Sequence, residues 1–194
     1  MPIRLHRNLY ALPGNCLRGG AKGGLYVLLL FSGFTLAAQE RRVVPDEPDQ
    51  LFYLQRDPDD NTVVYQLNTE DGQVDTEDPV NVYWIRYAEG GERQKLSFMQ
   101  RTMAYGISHR ALGNGEFELR LAAYKDHPLR LARDKKSGTY RVYTTINGKQ
   151  AVLDRIFVRI DGGGKLNPNI LYFELIGHDA ATRERVSQRV KPDQ

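Results

Sequence analysis

The stretch that decides the fold is "PVNVYWIRY", residues 79–87. It predicts a β-strand, because valine, tyrosine, tryptophan and isoleucine side chains fit a pleated surface. A strand with one wet face alternates apolar and polar residues. This stretch is bulky on both faces and carries Arg86 among the bulk. The sequence therefore predicts a strand that is covered on both faces, and it raises the question of why a cation stands there.

The segments around this stretch also read as strands, because apolar and polar residues alternate in them. Asn147-Gly148 separates two of them and predicts a hairpin, since both central positions of a type I′ turn need a positive φ. The tail "TRERVSQRV", residues 182–190, is compatible with a last strand or with a short helix. Further strands are predicted at 51–56, 62–68, 116–125, 129–134, 138–146, 149–160 and 170–177.

The period changes in "ERQKLSFMQRTMAYGI", residues 92–107. Leu96, Met99 and Met103 recur there at spacings of three and four, which is typical of one face of an amphipathic helix. Gly106 then ends the pattern. We expect this helix to cover the second face of the 79–87 strand.

The order of these segments predicts a mainly β fold. Eight or nine antiparallel strands follow one another as a meander, with one helix inserted after strand three. The short connections leave little room for parallel crossovers. We expect an up-and-down barrel, because closure removes exposed strand edges, with a two-sheet sandwich as the alternative.

The first part of the chain is predicted to be a leader. Residues 1–37 combine a basic region, the apolar run 25–36 and small residues at its end, the pattern of a signal peptide. The run is short for a membrane span, but an uncleaved N-terminal anchor is the alternative. We therefore expect an exported, periplasmic protein, with membrane association only if the leader is retained. Residues 38–50 read as an acidic linker, and residues 51–191 as a single antiparallel β domain.

Charge and cysteine content exclude several classes of function. The whole chain has a formal charge of +3, but residues 38–194 hold 23 basic and 24 acidic residues, so the basic excess belongs to the leader. We therefore expect no nucleic-acid partner. Residues 81–194 are nevertheless basic, with twenty basic residues against twelve acids, which leaves an anionic partner open. The single cysteine, Cys16, lies in the leader and excludes disulfides or a thiol nucleophile in the exported part.

No motif predicts a reaction. The sequence has no G-x-S-x-G stretch, and its histidines lack the spacing of metal ligands. "GGGK", residues 162–165, lacks the remainder of a phosphate-binding loop, and "DPDDN", residues 57–61, lacks the glycine and glutamate of a calcium loop. We therefore predict no catalytic residue, no metal and no cofactor.

Aromatic and cationic side chains form the remaining candidate site. Arg86 is predicted to share a face with Trp84, where a buried guanidinium is costly unless it is paired. It pairs with an acid or with backbone carbonyls, or it reaches solvent at the strand end. The functional alternative is that Arg86, with Arg56, binds an anionic group at the mouth of a cavity lined by Trp84 and the tyrosines. The predicted ligand-binding residues are Arg56, Tyr65, Tyr83, Trp84, Arg86 and Tyr105.

The stretches "LFYLQRDPDDNTVVYQLN", "DPVNVYWIRYAEGGERQKLSFMQRTMAYGI" and "LYFELIGHD" together resemble the bacterial family of domain of unknown function 4833. The resemblance covers residues 50–190. Arg183 departs from it, because a glycine is expected after Thr182. Members look like small exported proteins, so the resemblance implies export and the extent of the domain but no activity.

The leading hypothesis is an exported, non-enzymatic β-domain that binds a small amphipathic or anionic ligand, a lipid-like ligand or a cell-envelope component. This hypothesis requires Trp84 and Arg86 to border a cavity. The alternatives are a protein–protein interaction module with an exposed apolar patch, and an enzyme of unfamiliar type that uses Tyr105, His178 or a carboxylate.

Overall fold

The computed structural model describes residues 43–58, 60–164 and 168–192. The predicted leader and the first part of the predicted linker lie outside these residues. The described part is mainly β, as predicted. Its strands are β1 (Gln50–Asp57), β2 (Thr62–Leu67), β3 (Thr69–Glu70), β4 (Gln73–Val74), β5 (Val80–Arg86), β6 (Glu92–Lys95), β7 (Ile107–Gly113), β8 (Glu116–Leu121), β9 (Tyr124–Arg133), β10 (Tyr140–Ile146), β11 (Lys149–Gly163), β12 (Pro168–Asp179) and β13 (Arg185–Val190).

Nine of these strands form a curled half-barrel in the order β6-β5-β2-β1-β11-β10-β9-β8-β7. β12 pairs with β11, and β13 pairs with β12, while β3 and β4 form a separate small hairpin. Strand β5 contains all but the two end residues of the 79–87 stretch, and it lies between β2 and β6. Residues 96–106 connect β6 to β7, the two end strands of the nine-strand path.

One strand pair corrects the expected antiparallel arrangement. β1 runs parallel to β11, with Tyr53 opposite Arg155 and Asp57 opposite Arg159. The sequence prediction was wrong at this pair because short connections constrain only strands that follow each other along the chain. β1 and β11 are far apart in sequence, so their relative direction is set by the way the sheet curls.

The turns agree with the residues that occupy them. Asn147 and Gly148 have φ values of 50° and 76°, as the predicted hairpin requires, and they join Ile146 of β10 to its partner Lys149 of β11. Asp71 and Gly72, which join β3 to β4, have φ values of 50° and 75°. The predicted hairpin at Asn147-Gly148 is therefore confirmed.

The last turn contains an arginine in a conformation that favours glycine. Arg183 has a φ of 66°, a region that costs a residue with a Cβ roughly 1–2 kcal/mol. The Asp179 carboxylate stabilises the same turn by accepting hydrogen bonds from the backbone N–H groups of Ala181 (2.8 Å) and Thr182 (3.0 Å). The turn therefore keeps its shape without the expected glycine. The tail after it is β13, a strand rather than a helix.

The helix is shorter than predicted. The stretch expected to be helical begins with strand β6, and only Phe98–Gln100 and a π-helical turn at Arg101–Tyr105 are helical. Ser97 explains the late start, because its side chain accepts a hydrogen bond from the Gln100 N–H (3.3 Å) while Gln100 accepts one from the Ser97 N–H (2.8 Å). The prediction missed β6, β7 and the β3–β4 hairpin, so the described part has thirteen strands instead of eight or nine.

The inner faces of the strands enclose one main hydrophobic core. β8 shows the predicted alternation, since Phe117, Leu119 and Leu121 are buried between half-buried polar residues. Trp84 enters this core from β5. The largest fully buried apolar side chains are Phe52, Tyr65, Phe117, Leu119, Leu129, Leu131, Ile146, Leu153 and Leu175.

The second face of β5 has a different cover from the one predicted. Tyr83 and Ile85 pack with Val64 in a small separate cluster. Met99 and Met103, which were expected to lie over this face, are 48% and 62% exposed. The expected packing of the methionine stripe on the strand was wrong, because the helical turns are too short to lie along the sheet. Tyr105, at the end of these turns, does pack against Trp84 on the other face of β5.

Residues of the predicted linker contribute to that cover. The Tyr83 hydroxyl donates to Glu47 Oε2 (3.2 Å), and the Arg93 guanidinium lies 5.2 Å from the centre of the Tyr83 ring. Gln55 Nε2 also donates to the Val43 carbonyl (2.6 Å). The second face of β5 is therefore covered by the chain that precedes β1 and by a side chain of β6.

Candidate functional site

Three of the predicted site residues meet where β1, β5 and the helical turns converge. The rings of Trp84 and Tyr105 are 5.0 Å apart and nearly perpendicular, at 74°. The Arg56 guanidinium lies 5.3 Å from the centre of the Trp84 ring, and its Nη1 donates to the Tyr105 hydroxyl (3.0 Å). Ring-edge and cation–π contacts of this kind add to the stabilisation from burial. We call these three side chains the Trp84 cluster.

Tyr65 connects the cluster to the core. It is fully buried and stacks on Phe52, with ring centres 4.2 Å apart. Its hydroxyl donates to the Tyr105 carbonyl (2.9 Å), so the end of the helical turns is attached to β2. Burial raises the pKa of Tyr65 and keeps it a neutral donor. The structure thus brings four of the six predicted site residues together.

The Trp84 indole nitrogen is a buried donor. Nε1 has no hydrogen-bond partner among the residues that the structure describes. A buried N–H without an acceptor costs about 1–3 kcal/mol. The position of Trp84 is therefore maintained by ring contacts and burial rather than by its polar atom.

Tyr83 lies on the opposite face of β5 from Trp84, as strand alternation requires. Burial, followed by the Glu47 carboxylate, raises the pKa of Tyr83 to about 12. This tyrosine does not belong to the Trp84 cluster, so the structure separates two residues that the prediction placed in one site.

Arg86 answers the question raised by the cation in the strand. It is the last residue of β5, and its side chain is 41% exposed. Nη2 donates to Glu89 Oε1 (2.8 Å), Nε contacts the other carboxylate oxygen, and Nη1 donates to Gln94 Oε1 (2.9 Å). These hydrogen bonds hold the pKa of Glu89 below its usual range. The guanidinium is thus paired with an acid and also lies at the strand end, so it combines two of the structural alternatives expected from the sequence.

The helical turns expose three large apolar side chains that were not among the predicted site residues. Phe98, Met99 and Met103 are 82%, 48% and 62% exposed, and we call them the 98–103 surface. Lys95 and Arg101 flank them and are also exposed. The sequence contained one signal for this arrangement, the capping pair Ser97 and Gln100. Because this pair makes the helix begin after Leu96, Leu96 does not share a helical face with Met99 and Met103.

The surface of the described residues includes two depressions of a size to hold a small molecule. The larger, of about 520 Å³, lies between the start of β1, the β3–β4 hairpin and the β9–β10 turn. The smaller, of about 310 Å³, lies on β7 and β8 around His109 and Arg110. Neither is lined by Trp84 or Arg86. The cavity that the sequence hypothesis required next to these two residues is therefore at neither place.

One histidine lies in contact with an acid. His178 Nδ1 of β12 contacts Asp154 Oδ2 of β11, and both side chains are partly exposed. Burial raises the pKa of Asp154, and the neighbouring His178 opposes that shift. The pair lines neither depression. The two titratable groups are therefore in reach of each other but lie outside both of these depressions.

Residues 43–58, 60–164 and 168–192 contain no group of three or more His, Cys, Asp or Glu side chains arranged to bind a metal ion. In the same ranges, no helix is both long and apolar enough to span a membrane.

A second histidine predicts a pH-dependent stability. His127 Nε2 lies 2.8 Å from Thr144 Oγ1, and its ring stacks on Tyr124 at 5.2 Å. Burial lowers the pKa of His127 from its ordinary value of 6.5, so at mildly acidic pH the unfolded chain binds a proton more readily. Burial of the neutral His127 ring therefore contributes stability above the pKa that His127 has in the unfolded chain, and this contribution is lost as the pH falls below that pKa.

We expect the melting temperature to fall between about pH 7.5 and about pH 5.5, and to fall less in His127→Gln. Thermal unfolding followed by circular dichroism at both pH values measures this difference. His109→Gln, at an exposed histidine, is the matched control and should keep the wild-type pH dependence. An identical pH dependence in His127→Gln and wild type would show that His127 does not carry the effect.

Comparison with known proteins places the chain in a family. Neither the curated proteins nor the solved structures gave a match. The sequence model described as Domain of unknown function (DUF4833) matches residues 52–189. That range runs from β1 through most of β13 and includes Tyr65 and the three residues of the Trp84 cluster. The chain belongs to the DUF4833 family, as its resemblance predicted.

Proposed function

We propose that this protein is an exported, non-enzymatic β-domain that binds a lipid-like component of the cell envelope, namely the surface of an anionic lipid bilayer, through the 98–103 surface. The observation that carries the proposal is the exposure of Phe98, Met99 and Met103 within six residues. Exposed apolar side chains are ordinary when they are scattered, but grouped ones mark interaction sites.

The charges around these side chains favour a lipid surface. Lys95 and Arg101 flank them, and neither has a carboxylate partner among the described residues. Apolar side chains that enter the acyl boundary, with cations beside them, are typical of segments that lie on anionic membranes. Each lysine or arginine near such a surface contributes about 1 kcal/mol.

The Trp84 cluster supports this role by anchoring the segment that carries the apolar side chains. Tyr65 binds the Tyr105 carbonyl, and Arg56 binds the Tyr105 hydroxyl. The last residue of the helical turns is therefore attached to two strands. An anchored loop loses less conformational entropy on binding, because fewer of its states have to be given up. Arg56, Tyr65, Trp84 and Tyr105, which were predicted to bind a ligand, would then support the 98–103 surface from beneath instead of contacting the lipid.

The predicted leader agrees with this location. A cleaved signal peptide would release the domain into the periplasm, and a retained apolar run at 25–36 would attach it to the membrane. In both cases the domain would be within reach of lipid headgroups. We also take the half-barrel to be an open barrel rather than a two-sheet sandwich, with residues 96–106 spanning the opening between β6 and β7.

Co-sedimentation with lipid vesicles tests the proposal. The protein without residues 1–37 should bind vesicles that contain phosphatidylglycerol and bind pure phosphatidylcholine vesicles weakly. Phe98→Asp with Met103→Asp should reduce binding at least about tenfold, since two apolar contacts are lost. Lys95→Gln with Arg101→Gln should reduce binding to the anionic vesicles by a similar factor, and added salt should do the same to wild type.

Leu112→Asp is the matched control, because Leu112 is 45% exposed on β7 outside the 98–103 surface. It should bind vesicles as wild type does. Wild-type protein that sediments with neither kind of vesicle would overturn the lipid proposal and favour the protein–protein interaction module at the same side chains. Equal loss of binding in the Leu112 variant would refute the assignment of the surface.

A further inference from the structure

The larger depression lies at a fork in the sheet. Strand β11 is paired along one edge by two different strands in succession. Lys149–Val152 pair with β10, and the register then passes to β1, which begins with Tyr53 opposite Arg155. β10 and β1 therefore share one edge of β11, and the first residues of both strands leave that edge where the two strands approach each other. The depression of about 520 Å³ opens between them, and we call it the fork.

Divergence leaves strand backbone facing the fork. The β10–β11 register extends only from Tyr143 to Ile146, although β10 itself begins at Tyr140. The β1–β11 register likewise starts after the first residues of β1. Backbone groups at such an edge are suited to pair with an extended segment that brings its own N–H and C=O groups.

Apolar side chains form the floor of the fork. Leu51 is buried in the main core, and Leu67, Val74 and Tyr140 pack against that core from its margin. The volume lies within the range of about 300–1,000 Å³ that is usual for small-molecule sites. An apolar group of the size of a leucine side chain or two is the natural occupant of this floor.

Charges of opposite sign line the rim. On the β9–β10 side, the Arg133 guanidinium lies 5.3 Å from the centre of the Tyr140 ring, and among the described residues it has no carboxylate partner. The other side contributes the exposed Asp49. Gln50 beside it is half-buried, and its Oε1 is turned away from solvent and receives no hydrogen bond from a described residue. Glu47 lies on the same rim, but Arg93 and Tyr83 already occupy its carboxylate.

We propose that the fork binds a short apolar peptide with free ends. Its carboxylate would pair with Arg133, its ammonium would pair with the Asp49 carboxylate, and its side chains would cover Leu51. A ligand with only a negative charge leaves the Asp49 side unmatched, and a ligand without charges leaves Arg133 unmatched. This site is separate from the 98–103 surface and does not depend on the proposed lipid binding.

Calorimetry and NMR titration with the dipeptide leucyl-leucine test this inference on the domain without residues 1–37. The dipeptide should bind and shift the amide resonances of Leu51 and Tyr140. N-acetyl-leucyl-leucine amide, which has neither charge, and octanoate, which has only the negative one, should bind at least about tenfold more weakly, because a charge-assisted hydrogen bond contributes about 1.5–3 kcal/mol.

Arg133→Gln should weaken leucyl-leucine at least about tenfold while leaving the melting temperature close to that of wild type. Arg130→Gln is the matched control, since Arg130 is exposed on the same strand and pairs with Glu116. It should bind the dipeptide as wild type does. Absence of dipeptide binding, equal binding of octanoate, or unchanged binding in Arg133→Gln would each overturn the inference. Vesicle binding reports separately on the lipid proposal.

Discussion

Replacing Gly177 with alanine should destabilise the protein by about 3 kcal/mol or more. A Cβ at this position would lie 2.0 Å from the Val152 carbonyl oxygen and 3.0 Å from its carbonyl carbon. Both atoms belong to the backbone of β11, which pairs with β12 here, so no side-chain rotation relieves the contact. The two strands would have to move apart, and Leu153, which is fully buried next to this site, would lose its close contacts.

Chemical denaturation at equilibrium, analysed by linear extrapolation, measures this loss. Gly164→Ala is the matched control, because a Cβ on Gly164 meets nothing within 4 Å. It should change the free energy of unfolding by no more than about 0.5 kcal/mol. If Gly177→Ala unfolds at the same denaturant concentration as wild type, the close approach of β11 and β12 at this glycine is incorrect.

Replacing Trp84 with alanine should cost about 3–5 kcal/mol of stability, the usual range for removing a large aromatic side chain from a core. Trp84 is only 5% exposed, and its ring contacts both Tyr105 and the Arg56 guanidinium. The truncation therefore leaves a cavity and also removes the contacts that hold the end of the helical turns. Denaturant unfolding again gives the measurement.

Arg86→Ala provides the comparison within the same strand. Arg86 and Glu89 are 41% and 48% exposed, so their ion pair is screened by water and should contribute no more than about 1 kcal/mol. Trp84 and Arg86 were predicted to belong to one site, because they alternate along the same strand. Their replacements should nevertheless differ several-fold in the stability that is lost. Similar losses in both variants would contradict the separation of the buried Trp84 cluster from the exposed Arg86 pair.

Much of the fold followed from local sequence. Period-two alternation identified β8, whose Phe117 and Leu119 are buried as expected. Asn147-Gly148 identified the β10–β11 hairpin, because few residues other than asparagine and glycine adopt a positive φ easily. Such signals are local and depend on one residue and its neighbours. The position of Arg183 in a left-handed conformation shows the limit of this reasoning, since the surrounding turn outweighs the preference of the residue.

The candidate site was predictable in part. Arg56, Tyr65, Trp84 and Tyr105 were grouped by their residue types, and they do meet. The direction of Met99 and Met103 was not predictable from their spacing. A helical stripe indicates which residues share a face, but it does not indicate whether that face meets the core or the solvent, and here the π-helical turn also changes the period.

By itself, the sequence determined the β class, the main hairpin, the family and the residues that gather around Trp84. Tertiary structure alone decided that β1 runs parallel to β11, that the apolar side chains of the helical turns face outward, and that β1 and β10 diverge to open the fork. The physical reason is one of range. Backbone preferences and side-chain periodicity act over a few residues, whereas strand direction and surface shape depend on contacts between segments that are far apart along the chain.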